Sequence, residues 1–356
     1  MNTLRHQSKL SRYVRIAEEL REQIESTALK PGDKLASFTE MRTKFGVSQG
    51  VLERAYSLLE QDGLIVRRSG NGTFVARREP QALHNALGCL VPAVSLPYFS
   101  HLLEGIREVA HREGQHVTLM RDALPASCQR LDGILLYGAV GQWMPALPGG
   151  LPHVTLMTGN DEYPSVEADD FGGARQAVEH LISLGHRRIA YLLDLSGGEP
   201  ILLNRLAGYR AALHDAGIAA EKRWVRNLAD YGPFLRRGGF NMYDWLRADW
   251  RELGCTALLV QNDLAAIGAI GQLQQADIRV PEDVSVVGFD STDECEIVRP
   301  NLSSVHVPLR EIGAASAELL LKMVRGEAAP AGPVLLPTRM DVRDSTAINV
   351  AKVGDL

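Results

Sequence analysis

The first 77 residues combine helical periodicity with a hairpin pattern. Apolar residues recur at helical spacing from Tyr13 to Ile24, which predicts a first helix. Ser37 and Glu40 form a capping-box pattern before FTEMRTKF, and QGVLERAYSLLEQD carries an apolar face, so a second and a third helix are predicted. LIVRRSGNGTFVAR predicts two short strands joined by a glycine-rich turn. Three helices and a β-hairpin predict a winged helix-turn-helix over residues 1–77.

A second, larger α/β domain is predicted over residues 87–350. Apolar strand patterns, among them LDGILLY, RRIAYLL, CTALLV and VSVVGFD, alternate with amphipathic helix patterns such as FSHLLEGIREVAHREG and NRLAGYRAALHDAG. This alternation predicts parallel sheets flanked by helices, and the number of units predicts two such sheets. The polar segment between the two domains, residues 78–86, predicts a short linker.

Composition narrows the class of protein. A chain of 356 residues with 45% apolar and 23% charged positions is long enough for two or three folded domains. No apolar run is long enough for a transmembrane helix. The polar N-terminus is not followed by the apolar stretch that a secretory signal needs. The cysteines, at positions 89, 128, 255 and 295, lack metal-binding and redox spacings. We therefore expect a cytoplasmic protein with reduced cysteines, no membrane contact and no metal site.

The charge is distributed unevenly along the chain. Residues 1–80 carry 14 basic and 10 acidic side chains, a net charge of +4, whereas the remainder carries 24 and 33, a net charge of -9. A basic N-terminal domain favours an anionic partner, and a third helix with a basic wing suits the major groove and the phosphates of double-stranded DNA. The candidate phosphate contacts are Arg42, Lys44, Arg54, Arg67 and Arg68. The candidate DNA surface is completed by Ser37, Thr39, Ser48, Gln49, Gly50, Gly70, Asn71 and Gly72. From the pattern alone, a small helical domain that binds protein or dimerises remains an alternative.

Polar and aromatic residues follow several strands of the larger domain. Ligands of parallel α/β sheets bind beyond the carboxyl ends of the strands, so these positions are candidates for a binding site. The candidates are Tyr98, Phe99, Arg205, Tyr231, Asn262 and Asp290. A guanidinium, an amide and a carboxylate can hold paired hydroxyls while rings stack on a sugar, so the set suits a polyhydroxylated ligand. The alternative for each residue is a structural role, such as a helix cap or a solvated arginine.

Catalytic patterns are missing from the sequence. There is no GxSxG, HExxH or GxxxxGK[ST] motif, and the glycines of GNGTFV lie between two predicted strands rather than before a helix. The ten histidines are scattered along the chain. We therefore expect no catalytic residue, no cofactor and no enzymatic activity.

The N-terminal domain resembles the GntR-type winged-helix family. The resemblance covers residues 10–77 and is strongest in FGVS, LLEQDGLI and GNGTFV. It departs from the family at residues 36–39, which are Ala-Ser-Phe-Thr where Pro-Ser-Glu-Arg is usual. Gln49 replaces a usual arginine, and Glu53 stands where a basic residue is common. The usual arginine base contacts are therefore absent, although Gln49 can still pair with adenine.

The larger domain resembles the effector domain of the LacI/GalR family, which has the periplasmic-binding-protein fold. Residues 87–347 carry the resemblance in LDGILL, VEADDFGGARQAVEHLISLGHRRIAYL, NRLAGYRAAL, VQNDLAAIGAI and IRVPEDVSVVGFDSTDE. The resemblance implies ligand contacts at Arg205, Asn262, Asp290, one of Tyr98 and Phe99, and Tyr231. Met157 occupies a position that is often acidic in the family, and the nearby Asp161 can supply a carboxylate instead. The short RDALPASCQR segment leaves little room for the usual second helix of the N-terminal lobe.

Together the two resemblances predict a ligand-responsive DNA-binding transcriptional regulator, similar to regulators of the arabinose-repressor type. We expect a homodimeric repressor on a near-palindromic operator, controlled by a small effector, a sugar, in the cleft of the larger domain. Two alternatives remain open: a cytosolic solute-binding protein whose N-terminal domain only dimerises, and an α/β enzyme with a regulatory N-terminal domain. The identity of the sugar and the operator sequence are not predicted, and the expectation of a repressor rests on the resemblance alone.

Overall fold

The computed structural model describes residues 12–25, 29–30, 32–61, 64–68, 71–76, 83–91, 97–121, 130–138, 144, 147, 150–159, 163–195, 199–228 and 244–349. The chain divides into two compact units. The first, called the head below, comprises Met1–His84 with Pro125–Asp132 and Ala146–Leu151. The second, called the body, comprises Asn85–Leu124, Gly133–Pro145 and Pro152–Leu356.

The head contains three helices and a two-stranded sheet. The elements are α1 (Arg12–Glu25), α2 (Phe38–Phe45), α3 (Gln49–Gln61), β1 (Ile65–Arg68) and β2 (Gly72–Val75). The two strands are antiparallel and pair from Ile65 with Val75 to Arg68 with Gly72. This arrangement confirms the predicted winged helix-turn-helix.

Local sequence signals fix the helix ends of the head. The Ser37 hydroxyl accepts a hydrogen bond from the Glu40 N–H at 3.3 Å, and the Glu40 carboxylate accepts one from the Ser37 N–H at 2.7 Å. Gly46 ends α2 in the left-handed region with φ of 60°, where glycine carries no side-chain penalty. The apolar faces of the helices close over Leu20 and Leu52, both buried. The capping box and the helix stop are therefore those that the sequence predicts.

One sheet of the body is entirely parallel, and we call it and its helices the N lobe. Its elements are β3 (Ala86–Leu90), α4 (Pro97–Arg112), β4 (His116–Met120), β5 (Gly133–Tyr137), β6 (His153–Leu156), β7 (Ser165–Ala168), α10 (Leu309–Val324) and β13 (Val334–Leu336). The strand order is β13-β7-β6-β5-β3-β4. Four of its six strands, β3, β5, β6 and β7, are buried on both faces, as in sheets that helices cover on both sides.

The second sheet and its helices form the C lobe. Its elements are α5 (Asp170–Ser183), β8 (Ile189–Leu193), α6 (Pro200–Asp215), β9 (Val225–Asn227), α7 (Asp244–Leu253), β10 (Ala257–Val260), α8 (Asp263–Gln275), β11 (Ser285–Asp290), α9 (Glu294–Ile297), β12 (Ser303–His306) and β14 (Arg339–Asp341). The strand order is β14-β12-β11-β10-β8-β9, and the pairs are parallel except for β14 with β12. The predicted two-sheet α/β body is confirmed.

The chain crosses between the lobes three times. It passes from β7 to α5, from β12 to α10, and from β13 to β14. The second crossing sends α10 back to pack on α4 and on strands β5 to β7 of the N lobe. Neither lobe is therefore a continuous piece of the chain.

Two glycines allow α4 and α10 to pack backbone against backbone. A Cβ atom added at Gly105 would lie 1.9 Å from the carbonyl oxygen of Arg310, and one added at Gly313 would lie 2.0 Å from that of Leu102. No side chain fits at such distances, so glycine is required at both positions. This contact fastens the returning helix to the first helix of the N lobe.

Several features differ from, or add to, the sequence prediction. Ala86, predicted as the last linker residue, is the first residue of β3, and residues 77–82 lie outside the described residues, so the linker remains a prediction. The sequence reasoning did not identify α7, α10 or the strands β12 to β14. Among the described cysteines, those at positions 89, 255 and 295 are buried and free, and Cys128 lies outside the described residues. No helix in the described part of the chain combines the length and apolarity needed to cross a membrane.

Candidate functional sites

A cavity of about 270 Å³ lies at the strand ends of the body. Five of the six predicted ligand-binding residues line it: Tyr98, Phe99, Arg205, Asn262 and Asp290. Asn262 follows β10 and Asp290 ends β11, so parallel-sheet topology brings these two residues to one edge, whereas Tyr98 and Phe99 open α4 of the N lobe. Tyr231 lies outside the described residues. The structure thus brings the candidates together, while their roles toward a ligand remain predictions.

Arg205 is held rigidly at the floor of the cavity. Its Nε donates to Asp170 Oδ1 at 2.6 Å, and its Nη1 donates to the Gln261 carbonyl oxygen at 2.6 Å. The guanidinium carbon lies 3.6 Å from the centre of the Phe289 ring. Burial disfavours the charged form, but Asp170 and Asp290 together raise the pKa of Arg205 above its usual value. The result is a fixed cation whose Nη2 lies 3.9 Å from Asp290 Oδ1.

The sequence predicted Arg205 at the start of a helix that follows a strand, and the structure places it in the second turn of α6. The helix begins only at Pro200, after a connection that follows β8. Helical side chains lean toward the N-terminus of their helix, so Arg205 reaches back to the strand edge and bonds the Gln261 carbonyl there. A helix position therefore delivers its side chain to the cavity.

Asp290 is the most strained group in the cavity wall. It is 7% exposed, and its φ of 109° is a conformation that residues other than glycine rarely adopt. Its Oδ1 has no hydrogen-bond partner among the described residues. Burial raises the pKa of this carboxyl well above its usual value, Arg205 opposes that shift, and Asp263 and Asp170 add to it. A strained backbone and an acceptor oxygen without a donor, both at one buried residue, are typical of a functional site.

Asn262 and Asp263 share the start of α8 but have different surroundings. The Asn262 Oδ1 accepts a hydrogen bond from the Ala265 N–H at 2.9 Å, so what Asn262 offers a ligand is its amide NH2 group. Asp263 is buried and accepts from the Thr292 N–H at 2.7 Å and from the Ser304 hydroxyl. Burial raises the pKa of Asp263 to about 6, against the effect of these donors. Asp263 thus ties the loops after β11 and the strand β12 to the cavity edge.

Aromatic rings form the N-lobe side of the cavity. Tyr98, Phe99 and Tyr137 contact one another edge to face, with ring centroids 4.8 to 5.9 Å apart. Burial raises the pKa of both tyrosines above the usual value of 10.0. Sequence reasoning missed Tyr137, although it ends the strand LDGILLY and so satisfies the same strand-end criterion. It also missed Glu199 and Glu294, which line the cavity from the starts of α6 and α9.

The candidate DNA surface of the head is mostly exposed. Eleven of the thirteen predicted residues are exposed: Ser37, Thr39, Arg42, Lys44, Ser48, Gln49, Gly50, Arg54, Arg68, Asn71 and Gly72. Arg68 lies over the Phe74 ring, 5.1 Å from its centre, on the outer face of the wing. Gly70 lies outside the described residues. Contacts of these residues with DNA remain predictions.

Arg67 differs from the other basic residues of the head. Its Nη1 pairs with Glu53, its Nε lies 3.3 Å from Glu60 Oε2, and its guanidinium lies 5.8 Å from the centre of the Tyr56 ring. All three partners belong to α3, and the Arg67 side chain is 28% exposed. The structure therefore shows Arg67 fastening the wing to α3, with Glu53 as its partner.

Both units are similar to known protein families. Residues 12–75 match the model of bacterial regulatory proteins of the gntR family, and residues 178–346 match the model of the periplasmic binding protein-like domain. The arabinose metabolism transcriptional repressor of Geobacillus stearothermophilus is 26% identical over 376 residues, which cover 95% of this chain and 98% of that protein.

Solved structures of regulators resemble the body. A LacI family transcriptional regulator from Enterococcus faecium with bound ribose is 28% identical, with a TM-score of 0.64, and the match covers 74% of this chain and 99% of that chain. The lac repressor dimer bound to operator and the anti-inducer ONPF is 26% identical, with a TM-score of 0.62 and coverages of 75% and 95%.

Proposed function

We propose that this chain, a DNA-binding transcriptional regulator that joins a GntR-type winged helix to a LacI/GalR-type body, is controlled by a sugar. The sugar binds in the body cavity and lowers the affinity of the protein for an operator. The observation that carries the proposal is the cavity itself. Arg205, Asn262 and Asp290 line it together with aromatic rings, on a chain that also carries an exposed, basic winged helix. We further propose that the protein acts on DNA in the cytoplasm and has no catalytic role, as expected of a regulator.

The two lobes supply the means of regulation. Residues from both lobes line the cavity, with Tyr98 and Tyr137 from the N lobe and Arg205 and Asp290 from the C lobe. A ligand that touches both lobes binds best when they are closed on it, so it shifts the population toward that form. The effect on operator affinity cannot exceed the difference in ligand affinity between the two forms, which is typically about 1–3 kcal/mol, or roughly 5- to 150-fold.

Operator affinity measured with and without ligand tests the proposal. A fluorescent operator duplex is titrated with the full chain in the presence of single mono- and disaccharides, chosen by their effect on thermal unfolding. We expect one sugar to weaken binding and Asp290→Ala to abolish that response while leaving ligand-free DNA binding nearly intact. The Asp344→Ala variant, which removes an exposed carboxylate in the C-terminal part of the chain, is the matched control and should respond as the wild type does. An unchanged response of Asp290→Ala at the same sugar concentration would show that the regulatory site lies elsewhere.

We also propose that the protein binds DNA as a homodimer through the body. Two heads on two half-sites double the number of DNA contacts, and the related lac repressor forms an operator-bound dimer. In this chain β4 is an edge strand that pairs on one side with β3, and its Leu119 is 46% exposed. An apolar side chain on an edge that pairs with no further described strand suits a second copy of the chain.

Sedimentation of the full chain tests the dimer. We expect a dimer at micromolar concentration and a monomer with weakened operator binding for Leu119→Lys, because a charge replaces the apolar contact. Leu335→Lys, which changes an exposed leucine of β13 at the opposite edge of the same sheet, is the control and should remain a dimer. A Leu119→Lys protein that is still a dimer would move the interface away from β4.

A further inference from the structure

The body cavity holds more acidic than basic side chains. Among the described residues that line it, four are acidic, Glu199, Asp263, Asp290 and Glu294, and the basic one is Arg205. Arg205 already forms an ion pair with Asp170 below the cavity. Its charge is therefore shared between Asp170 and Asp290, and the cavity lining carries more carboxyl groups than one guanidinium can neutralise.

Two of these carboxylates each have one oxygen that accepts no hydrogen bond from the described residues. Asp290 Oδ1 and Glu294 Oε2 are both shielded from solvent, and neither has a hydrogen-bond partner within the described part of the chain. Asp263 differs, because Thr292 and Ser304 donate to its oxygens. A buried acceptor without a donor costs free energy, and an ionised carboxylate can accept but not donate. A ligand that brings donors to Asp290 and Glu294 would satisfy both acceptors.

Aromatic rings face the same space. Tyr98, Phe99 and Tyr137 line the N-lobe side of the cavity that Asp290 and Glu294 also line. Burial raises the pKa of both tyrosines, and the charge of Asp290 adds to that rise. The faces of aromatic rings attract cations, and the attraction is stronger where water is excluded. Rings and carboxylates together are the chemistry that holds an ammonium group.

A neutral hydroxyl meets only part of this requirement. It can donate to a carboxylate oxygen, but it brings no positive charge, and the Arg205 guanidinium, whose Nη2 lies 3.9 Å from Asp290 Oδ1, is already paired with Asp170. A protonated amine brings three donors and one positive charge to the same place. An anionic ligand would add to the surplus of negative charge.

We propose that the effector carries a protonated amine on a polyhydroxylated frame, an aminosugar in chemical class, with the ammonium group held by Asp290, Glu294 and the ring cluster. The inference rests on the proposed function, because it specifies the ligand of the same cavity. Arg205 and the Asn262 amide remain available in it to bind hydroxyls of the frame.

Matched sets of sugars test the inference on the full-length protein. D-glucose, D-glucosamine and N-acetyl-D-glucosamine form one set, and the corresponding galactose and mannose compounds form two more. Thermal shift ranks the nine compounds, and calorimetry measures the dissociation constants within the best set. We expect the amine to bind at least about tenfold more tightly than its hydroxyl parent. The N-acetyl form, which keeps the nitrogen but loses the charge, should lose that gain.

Two carboxylates of α9 provide a matched pair of variants. Glu294→Gln removes the charge that faces the cavity and should lower the amine-to-hydroxyl affinity ratio at least threefold. Glu296→Gln changes a side chain of the same short helix that is 72% exposed, and it should leave the ratio unchanged. Folding of both variants is checked by thermal unfolding without sugar.

The outcomes separate this inference from the proposed function. A neutral sugar that binds as tightly as its amine and weakens operator binding overturns the amine assignment and leaves the regulatory function standing. An unchanged affinity ratio in Glu294→Gln also overturns the assignment. If no compound of any set binds or changes operator affinity, both the inference and the sugar-responsive function fail.

Discussion

Replacing Arg68 by Gln should reduce the salt dependence of operator binding, whereas replacing Arg67 by Gln should leave it unchanged. The two arginines are neighbours on β1, but their surroundings differ. Arg68 is exposed beside the Phe74 ring, whereas Arg67 is paired with Glu53 and Glu60 of α3. A side chain whose charge is already matched within the head releases few counterions when DNA binds.

The expected sizes follow from these contacts. Each lost phosphate contact lowers the slope of log affinity against log salt by about 0.9, so Arg68→Gln should lower it by about 1.8 in a complex with two heads. Arg67→Gln should instead destabilise the head. Its partners Glu53 and Glu60 are 48% and 43% exposed, so each pair contributes only about 0.2–1 kcal/mol after solvent screening. The Tyr56 ring contact adds about 0.5–1 kcal/mol, so the total loss should be about 1–3 kcal/mol.

The assay is fluorescence anisotropy of a labelled operator over a series of KCl concentrations, with thermal unfolding of each variant followed by circular dichroism. Arg187→Gln, a change of an exposed arginine in the body, is the control and should alter neither slope nor head stability. If Arg67→Gln lowers the slope as much as Arg68→Gln does, Arg67 leaves α3 to contact phosphate and the reasoning is refuted.

Three further predictions concern stability and are read from urea unfolding. Gly313→Ala should lower the free energy of unfolding by about 1–3 kcal/mol, because its Cβ would meet the Leu102 carbonyl oxygen. The control Gly271→Ala, at an open position of α8, should raise it by up to about 1 kcal/mol. Equal effects would contradict the close contact between α4 and α10. Ser37→Ala should destabilise the head by about 1 kcal/mol through loss of its cap, and no loss would show that the cap contributes nothing. Burial raises the pKa of Asp263 from 3.8 to about 6, so its contribution to stability is full below pH 3.8 and is lost as the pH rises through 6. Wild type should therefore gain stability relative to Asp263→Asn as the pH falls through that range, and parallel pH profiles would contradict this assignment.

Local signals in the sequence were sufficient for the head. The Ser37–Glu40 capping box and the stop at Gly46 act through residues within one helical turn, so the sequence alone predicts where α2 begins and ends. The Arg67–Glu53 pair could not be predicted in the same way, because it depends on how the wing folds back on α3.

The residues that line the cavity could be predicted where they lie at the end of a strand. Asn262 and Asp290 follow that rule, and Tyr137 follows it too but was overlooked. Glu294 depends on the path of the loop after β11, for which the sequence carries no periodic signal. The return of α10 to the N lobe was likewise hidden, because an amphipathic pattern shows that a helix has a buried face but not which sheet covers it.

The three crossings between the lobes have a consequence for biosynthesis. The N lobe receives α10 and β13 from the last fifth of the chain, and the C lobe receives β14 later still, at Arg339–Asp341. The helices and the wing of the head, by contrast, are complete at Val75. At about 5–20 residues per second, a translating ribosome needs roughly 10–50 seconds to synthesise the residues in between. During that interval a nascent chain can carry a folded winged helix before the body that binds the effector has been synthesised. A message truncated before β13 would encode a DNA-binding domain whose activity no effector can regulate.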